Sequence, residues 1–508
     1  MKRATRPNEE FVELTQFTVD PRAVRLLDHD FCRARHAVVL AVPEDAAEPV
    51  TVGLLDPGRR ALVREIERAL GRRVAPVRLN AWEIERALDE GFHAATFESE
   101  GLRLALRPVH DFSFERNPDV SLLLDEILGR AVGAGASDVH LETYEADVDV
   151  RLRIDGVLEQ VATPLARGNV QGAITRLKVL AGLDIAERRR AQDGRIAAVF
   201  REDGRQREVD FRLSIVPGPF GEDAVLRILD SETPLMGLSR LGLGGAAYTT
   251  FERLISNPEG LVLLTGPTGS GKTTTLYASI QHISRPDNKV ITVEDPIEYH
   301  FPKTNQKQVS GAMGFADYAR AFLRQNPDII LIGEIRDEET ASAAIRAAQT
   351  GHLVLSTLHT NDAVRTISRL RTLGVDPSLI ASCLLGAASQ RLLRRLCPEC
   401  KEPAAPKPEE AERLRLGAGD EAFFRARGCA ACSGRGFRGR VGIYELFVMD
   451  GELADLVADD VAVHRLREAA LKKGMETLVE HALHKAREGI TSLAEILREV
   501  PYRLLTGD

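Results

Sequence analysis

A glycine-rich segment at residues 266–273 limits the folds that are open to this chain. The segment matches the pattern GxxxxGK(S/T) in full, from Gly266 to Thr273. An apolar run at 261–264 precedes it, and a helical pattern follows it. Glycine leaves backbone N–H groups accessible to phosphate oxygens, and the beginning of a helix adds its dipole. The pattern therefore favours a phosphate-binding loop between a strand and a helix over a glycine-rich turn that binds nothing.

The residues of the loop predict its ligands. We expect Lys272 to reach the β- and γ-phosphates of ATP as a catalytic cation, and Thr273 to bind Mg²⁺. The residues predicted to bind the nucleotide are Gly266, Pro267, Thr268, Gly269, Ser270, Gly271, Lys272, Thr273 and Thr274.

Apolar strands alternate with helical segments around this loop. The strands are predicted at 261–264, 290–293, 329–332 and 353–355. Such alternation predicts a parallel sheet with helices on its faces. The expected fold class is therefore α/β, with a RecA-like parallel-sheet P-loop core.

Acidic residues follow two of these strands. Glu294 and Asp295 come after the strand at 290–293, and Glu334 comes after the strand at 329–332. Carboxyl ends of parallel strands are where such sites form, so Glu334 suits a Walker-B carboxylate and Glu294 suits a group that orients water. Asp328 is interpreted as a strand cap. A solvated carboxylate remains the alternative for Glu294.

Two histidines flank the strand at 353–355. His352 precedes it and His359 lies after its end. Either side chain could sense a γ-phosphate, but a hydrogen-bonded core or loop histidine is the alternative. Their spacing alone does not establish a role.

Four of the six cysteines form two CxxC pairs separated by 28 residues. Four thiolates suit tetrahedral Zn²⁺ and leave no open position for water, so the predicted zinc site is structural. Reduced cysteines without a metal, or a redox dithiol, are the alternatives. The predicted ligands are Cys397, Cys400, Cys429 and Cys432.

The composition excludes several classes of protein. With 67 Lys and Arg against 75 Asp and Glu, the formal net charge is −8, so no overall positive field draws the chain to nucleic acid. No apolar run approaches the roughly 18 residues of a membrane-spanning helix, and no secretory signal is evident. We therefore expect a cytoplasmic protein, and 508 residues suggest about three domains.

Local patterns predict how the chain is organised. A helix at 60–70 stops at Gly71 in a small N-terminal domain, and a linker is expected near 108–118. A strand at 147–154 enters a hairpin turn in a second α/β domain. Helices at 463–473 and 476–488, ended by Gly474 and Gly489, and a capping box at Ser492 and Glu495 predict a helical C-terminus. The predicted regions are 1–110, 119–234, 235–396, the tetracysteine module at 397–440 and the helical subdomain at 441–508.

Three further motifs accompany these features, namely ASDVHLE at 136–142, QDGR at 192–195 and GEIRD at 333–337. With them, residues 119–508 resemble the type II secretion ATPases of bacteria, in the general secretion pathway protein E group. The type IV pilus assembly ATPases are close relatives of that group. The tetracysteine module disfavours the pilus-retraction branch.

The resemblance implies roles for individual residues. Glu294 would polarise the attacking water, Glu334 would be the Walker-B acid, and His352 and His359 would belong to the family's His box. Arg212 and Arg227, from the second domain, would reach the nucleotide when the domains close, and ordinary strand-surface arginines are the alternative. The residues expected to be catalytic are Lys272, Glu294, Glu334, Arg212, Arg227, His352 and His359.

The resemblance also implies a function. The chain would be a cytoplasmic homo-hexamer, peripheral to the inner membrane, that hydrolyses ATP to power pseudopilus assembly and protein export. Residues 1–110 would dock the cytoplasmic domain of an inner-membrane platform protein. The alternatives are a type IV pilus assembly ATPase, a RecA-like nucleic-acid motor and a nucleotide-gated scaffold without catalysis. A nucleic-acid partner is not expected.

Overall fold

The computed structural model describes residues 21–24, 26–27, 29–43, 45, 48–80, 83–84, 87–88, 104–106, 120–202, 205–230, 236–301, 303–417 and 423–506. The chain divides into two compact units, Glu98–Pro234 and the remainder. The linker predicted near 108–118 and the boundary predicted at 234 and 235 lie outside the described residues.

A small three-stranded sheet lies near the start of the described chain. The order is β1-β2-β3, with an antiparallel first pair and a parallel second pair. The predicted helix at 60–70 is confirmed and is followed by Gly71. Apolar side chains of these helices and strands form a core of their own. The elements are α1 (Pro21–Val24), α2 (His29–Arg35), β1 (Ala37–Ala41), β2 (Val50–Leu54), α3 (Arg60–Leu70) and β3 (Val74–Arg78).

The unit Glu98–Pro234 contains a seven-stranded sheet. The elements are β4 (Leu104–Leu106), α4 (Val120–Gly133), β5 (Ala136–Thr143), β6 (Val148–Ile154), β7 (Val157–Gln160), α5 (Val170–Leu180), β8 (Gln192–Glu202), β9 (Arg205–Gly218) and β10 (Gly221–Asp230). The order of the strands in the sheet is β4-β8-β9-β10-β5-β6-β7. The predicted hairpin is confirmed, because β6 and β7 pair as antiparallel neighbours.

A buried ion pair fixes helix α5 to strand β10 in this unit. Lys178 Nζ lies 2.7 Å from Glu222 Oε1, and both side chains are almost fully buried. The ammonium also donates to the backbone carbonyl of Glu187 at 2.6 Å. Charges with this little contact with water are tolerated only when they are paired and hydrogen-bonded. The pair therefore fixes the position of α5 on the sheet.

A second seven-stranded sheet follows, and the phosphate-loop motif lies within it. Its first elements are α6 (Gly245–Ile255), β11 (Gly260–Thr265), α7 (Lys272–Ile283), β12 (Val290–Glu294), β13 (Asn305–Gln308), α8 (Phe315–Phe322), β14 (Ile329–Ile332), α9 (Glu338–Gln349), β15 (Leu353–Leu358), α10 (Arg365–Thr372), α11 (Pro377–Cys383) and β16 (Leu384–Leu396).

The tetracysteine segment and the C-terminal helices complete the fold. Their elements are β17 (Glu402–Ala404), α12 (Pro408–Arg413), β18 (Phe423–Arg425), β19 (Phe437–Val448), α13 (Gly451–Ala458), α14 (Val463–Lys472), α15 (Leu478–Arg487), α16 (Leu493–Glu499) and α17 (Tyr502–Thr506). No helix that the structure describes is long and apolar enough to cross a membrane.

The second sheet confirms the predicted parallel architecture. Its order is β13-β12-β14-β15-β11-β16-β19, and only β19 runs antiparallel to its neighbour. Along β11, Leu261 and Leu263 pack with residues of α8 and α9, whereas Val262 and Leu264 pack with residues of α6 and α7. Helices therefore cover both faces, which explains why these strands are continuous apolar runs.

The two C-terminal helices predicted at 463–473 and 476–488 are confirmed, and their starts and ends lie within two residues of the predicted ones. Helix α15 begins two residues later than predicted, because Thr477 and Glu480 form a capping box there. The capping box predicted at Ser492 and Glu495 forms only in part. Ser492 Oγ accepts from the N–H of Glu495, but the buried Glu495 carboxylate pairs with Arg394 at 2.7 Å. A buried carboxylate is stabilised more by a cation than by a backbone N–H.

Candidate active site

The phosphate-loop motif lies between β11 and α7, at the carboxyl edge of the parallel sheet. Gly266 and Gly271 have φ angles of 143° and 88°, where side chains are rarely tolerated. A Cβ atom on Gly266 would lie 2.4 Å from the carbonyl oxygen of Gln390, and one on Gly271 would lie 2.8 Å from Gln390 Nε2. The loop can therefore keep this path only with glycine at both positions.

Lys272 is the first residue of α7, and its side chain folds back over the loop. Its Nζ donates to the carbonyl oxygens of Gly266 and Pro267 at 2.9 and 3.0 Å. Burial lowers the pKa of Lys272, and the Glu334 carboxylate counteracts part of this effect. The positive charge is thus positioned beside the loop by the loop itself.

Glu294 ends strand β12 and is 4% exposed. Its carboxylate accepts hydrogen bonds from the Tyr277 hydroxyl, from Thr292 Oγ1 at 2.6 Å and from Gln306 Nε2 at 3.1 Å. Burial and the adjacent carboxylate both raise the pKa of Tyr277, so its hydroxyl remains a donor. Three neutral donors therefore hold this acid in one orientation.

Glu334 follows β14 and contacts two basic side chains. One carboxylate oxygen accepts from Arg336, and the other lies 3.6 Å from His359 Nε2. The Arg336 guanidinium also lies 3.8 Å from a carboxylate oxygen of Asp295. The structure thus brings Lys272, Glu334 and His359 together at one edge of the sheet, with Arg336 between the two acidic strand ends.

His352 lies at the other edge of the sheet. Its Nδ1 is 2.9 Å from the carbonyl oxygen of Ala347 and 3.1 Å from Thr350 Oγ1, at the beginning of β15. The six residues of β15 separate it from His359, which corresponds to about 20 Å at the usual rise per residue. The structure therefore does not bring His352 together with Lys272, Glu334 and His359 of the same chain.

Arg212 and Arg227 lie in the unit Glu98–Pro234 and are direct partners across β9 and β10. The same register places Arg195 opposite Arg212, Asp138 opposite Arg227 and Arg153 opposite Asp138. Side chains that are paired in this way share one face of a sheet. Asp138 Oδ1 lies 3.4 Å from Arg227 Nε, and its Oδ2 lies 3.7 Å from Arg153 Nε. We call this set of four cations and one acid the arginine row.

Several residues around the strand-end acids and in the arginine row were not predicted from the sequence. Tyr277 and Gln306 reach Glu294 through tertiary contacts, which no local sequence pattern predicts. The contact of Thr292 with Glu294 was predictable, because residues two positions apart on a strand share one face. Arg336 lies in the GEIRD motif and Arg195 lies in the QDGR motif, but the sequence predicted no role for these two side chains.

The four paired cysteines bring their sulfur atoms within 4.8 Å of one another. Three of the separations are 3.9, 3.9 and 3.8 Å. With Zn–S bonds of about 2.3 Å, a regular tetrahedron has sulfur atoms about 3.8 Å apart. The donor set therefore fits zinc. Its members are Cys397, Cys400, Cys429 and Cys432.

The surrounding backbone favours thiolate at one of these cysteines. Burial opposes ionisation of Cys432, but the N–H groups of Cys429 and Gly436 donate to its sulfur and lower its pKa to about 6. A thiolate is the form of cysteine that binds a metal. The two cysteines outside the cluster, Cys32 and Cys383, are buried in separate apolar cores.

Comparison with known proteins identifies two regions of the chain. The family model described as "Type II/IV secretion system protein" matches residues 115–498, and the MshEN domain model matches residues 8–97. The chain is 38% identical to the type II secretion system ATPase E of Vibrio cholerae, over 96% of this chain and 99% of that protein. It is 45% identical to the type II secretion system protein E of Pseudomonas aeruginosa, over 76% of each chain.

Type IV pilus assembly ATPases are similar to this chain at about the same level of sequence identity. The type IV pilus assembly ATPase PilB of Thermus thermophilus is 39% identical over 97% of this chain, although the chain spans only 56% of PilB. Among solved structures, the ATPase DotB of Legionella pneumophila superposes with a TM-score of 0.56 at 24% identity. The match covers 80% of this chain and 99% of DotB, and it supports the fold.

We expect one zinc ion per chain after purification without chelators, and a large loss of zinc when Cys397 is replaced by Ser. The reason is that three sulfur ligands no longer fill a tetrahedral shell. Metal analysis of the two proteins measures this. Glu399→Gln is the matched control, because Glu399 is exposed and lies between two of the ligands in the sequence. This variant should keep its zinc. Less than about half an equivalent of zinc in the unaltered protein would contradict a structural site.

Proposed function

Because the chain belongs to the type II/IV secretion system protein family and is a P-loop ATPase, we propose that it hydrolyses ATP to drive pseudopilus assembly and protein export in a type II secretion system. One observation carries the proposal. The similarity to the Vibrio cholerae ATPase E extends over 96% of this chain and 99% of that protein, in a chain whose phosphate loop and strand-end acids are intact.

ATP binding begins at the phosphate loop in this proposal. The backbone N–H groups of the loop surround the phosphates, and Lys272 exchanges the carbonyl oxygens of Gly266 and Pro267 for phosphate oxygens. The exchange favours binding, because anionic phosphate oxygens replace neutral carbonyl oxygens as acceptors for the ammonium group. Thr273 would hold Mg²⁺, whose chemistry is to neutralise charge on the β- and γ-phosphates.

Hydrolysis depends on the two strand-end acids. Glu294 orients the attacking water, and its fixed carboxylate is suited to this task because Tyr277, Thr292 and Gln306 leave it little freedom. Glu334 acts as the Walker-B acid, and His359, whose Nε2 lies 3.6 Å from that carboxylate, would sense the γ-phosphate. We do not extend the proposal to His352, which lies at the opposite edge of the sheet.

Arg212 and Arg227 couple hydrolysis to motion in this proposal. Charge that develops on the γ-phosphate is stabilised by cations that are already in place. If the unit that carries the arginine row closes on the nucleotide, Arg212 and Arg227 supply those cations, and Asp138 positions Arg227. Turnover then requires closure, so the chemical step is linked to a movement of the chain.

The assembly proposed for the chain is a homo-hexamer in the cytoplasm, peripheral to the inner membrane. Residues 1–110 would dock the cytoplasmic domain of a platform protein in that membrane. The match of residues 8–97 to a domain model of their own supports a separate task for this region.

A type IV pilus assembly ATPase is the second candidate function. It is favoured by PilB of Myxococcus xanthus, which is 38% identical over 96% of this chain and 88% of PilB. The full chain, immobilised and exposed to detergent-solubilised inner-membrane proteins of its own cell, distinguishes the candidates. Capture of a secretion platform protein supports the first candidate, and capture of a pilus platform protein supports the second.

We expect Glu294→Gln to abolish steady-state ATP hydrolysis while nucleotide affinity stays unchanged, because the amide keeps the shape of the side chain but cannot accept a proton from water. Lys272→Ala should abolish hydrolysis and also weaken ATP binding, because the phosphates lose the cation of the loop. Parallel measurements of turnover and nucleotide affinity separate these results. Turnover of Glu294→Gln near that of the unaltered protein would assign the water-orienting role to another acid, with Glu334 next in line.

For Arg227→Ala in assembled hexamers, we expect turnover to fall by about 10²-fold or more, with a much smaller change in ATP affinity. Loss of a cation that acts in the transition state has an effect of this size, whereas an exposed ion pair contributes about 1 kcal/mol or less. Arg201→Ala, which removes an exposed arginine from the same unit, is the control. Near-normal turnover of Arg227→Ala in the hexamer would contradict the assignment.

A further inference from the structure

A cavity of about 440 Å³ lies away from the strand-end acids. It is lined by the segment before α6, by β16 and β19, and by the end of α15. Four of its lining residues are cations, and no acid occurs among the described residues that line it. The cations are Arg240, Arg395, Arg440 and Lys485.

Three of these cations have no partner in the part of the chain that the structure describes. Within the residues that the structure describes, the guanidinium groups of Arg240, Arg395 and Arg440 make no hydrogen bond and no salt bridge. Lys485 is the buried member of the set, at 7% exposed, and its Nζ lies 3.3 Å from a carboxylate oxygen of Glu488. The described lining of the cavity therefore carries an excess of positive charge.

The walls of the cavity are held together by backbone contacts. The N–H of Gly442 in β19 donates to the carbonyl oxygen of Leu241 at 3.0 Å. The chains pack so closely that a Cβ atom on Gly242 would lie 2.5 Å from the carbonyl oxygen of Gly442. The segment that carries Arg240 is thus fixed on the strand that carries Arg440, and the cavity is preformed.

The cavity is separate from the phosphate loop. Gly271 of the loop faces the side chain of Leu392 in β16, and Arg395 lies three residues further along that strand. Three residues of a strand span about 10 Å. The nucleotide phosphates and the cavity would therefore use different parts of β16.

We propose that this cavity binds a phosphate-bearing anion. Guanidinium groups match phosphate oxygens in bidentate geometry, and a concave site lined by one sign of charge concentrates counter-ions of the other sign. The volume is in the range of small-molecule sites, and Leu243, Val441 and Ile490 add apolar wall for the rest of the ligand. This site goes beyond the proposed function, which uses none of these residues. The phosphate belongs to a soluble molecule or to a phospholipid headgroup, and both share this chemistry.

Pyrophosphate binding to the full chain tests the proposal by calorimetry. Lys272→Ala is used as the background, because it weakens the phosphate loop as a competing site. We expect this variant to bind pyrophosphate and the further change of Arg395→Gln with Arg440→Gln to weaken that binding by about tenfold or more, since each good bidentate pair contributes more than a neutral hydrogen bond. Arg438→Gln, which removes an exposed charge from β19 outside the cavity lining, is the matched control and should bind as the background does.

Two results would overturn the proposal. One is no pyrophosphate binding to the Lys272→Ala background, and the other is equal weakening by the paired substitution and by Arg438→Gln. If the paired variant fails to fold, as judged by circular dichroism, Arg240→Gln on the facing segment gives the same comparison. Both results are binding measurements, so they stand apart from any failure of ATP hydrolysis.

A second arm identifies the source of the phosphate. The Lys272→Ala chain is sedimented with phosphatidylcholine vesicles, with and without phosphatidic acid. Binding that needs phosphatidic acid and is lost in the paired arginine variant assigns the site to a headgroup. Pyrophosphate binding without vesicle binding assigns it to a soluble phosphate.

Discussion

The close packing of the phosphate loop against Gln390 is the contact on which the rest of the ATPase core depends. Gln390 fills the space where side chains on Gly266 and Gly271 would lie, and its Oε1 accepts from Thr275 at 2.9 Å in the helix that follows the loop. This contact fixes the loop, the start of the helix and strand β16 relative to one another. The orientation of the backbone donors therefore comes from tertiary packing as well as from the motif.

The same contact continues to the C-terminal helices. Thr275 Oγ1 lies 3.4 Å from the Tyr444 hydroxyl, and the N–H of Tyr444 donates to Nδ1 of the buried His481 at 2.9 Å. Burial lowers the pKa of His481 to about 4, so its ring stays neutral and can accept that bond near neutral pH. A series of hydrogen bonds that passes through the hydroxyl and the backbone N–H of Tyr444 thus joins the nucleotide site to helix α15. The same helix contributes Lys485 to the cavity with the four cations.

Features set by residues that are close together in the sequence were predictable, and features that depend on the register of the sheets were not. The loop motif, the four core strands and the cysteine pairs are local patterns with strong physical requirements. His352 is separated from the carboxyl edge of the sheet because it and His359 occupy opposite ends of β15. The arginine row depends on the pairing of five strands, and the partner of Glu495 is Arg394, about a hundred positions away. Such contacts are set by the tertiary fold.

In the proposed mechanism, Glu294 orients the attacking water because neutral donors fix its carboxylate. Tyr277→Phe tests it most directly, since the change removes one donor and keeps the ring that packs on Phe301. The measurement is turnover together with ATP affinity, for the variant and for the unaltered protein. We predict that turnover falls by about tenfold or more while ATP affinity stays the same. A loss of this size is expected when a group in general-base catalysis loses its alignment. Unchanged turnover at unchanged affinity would contradict it.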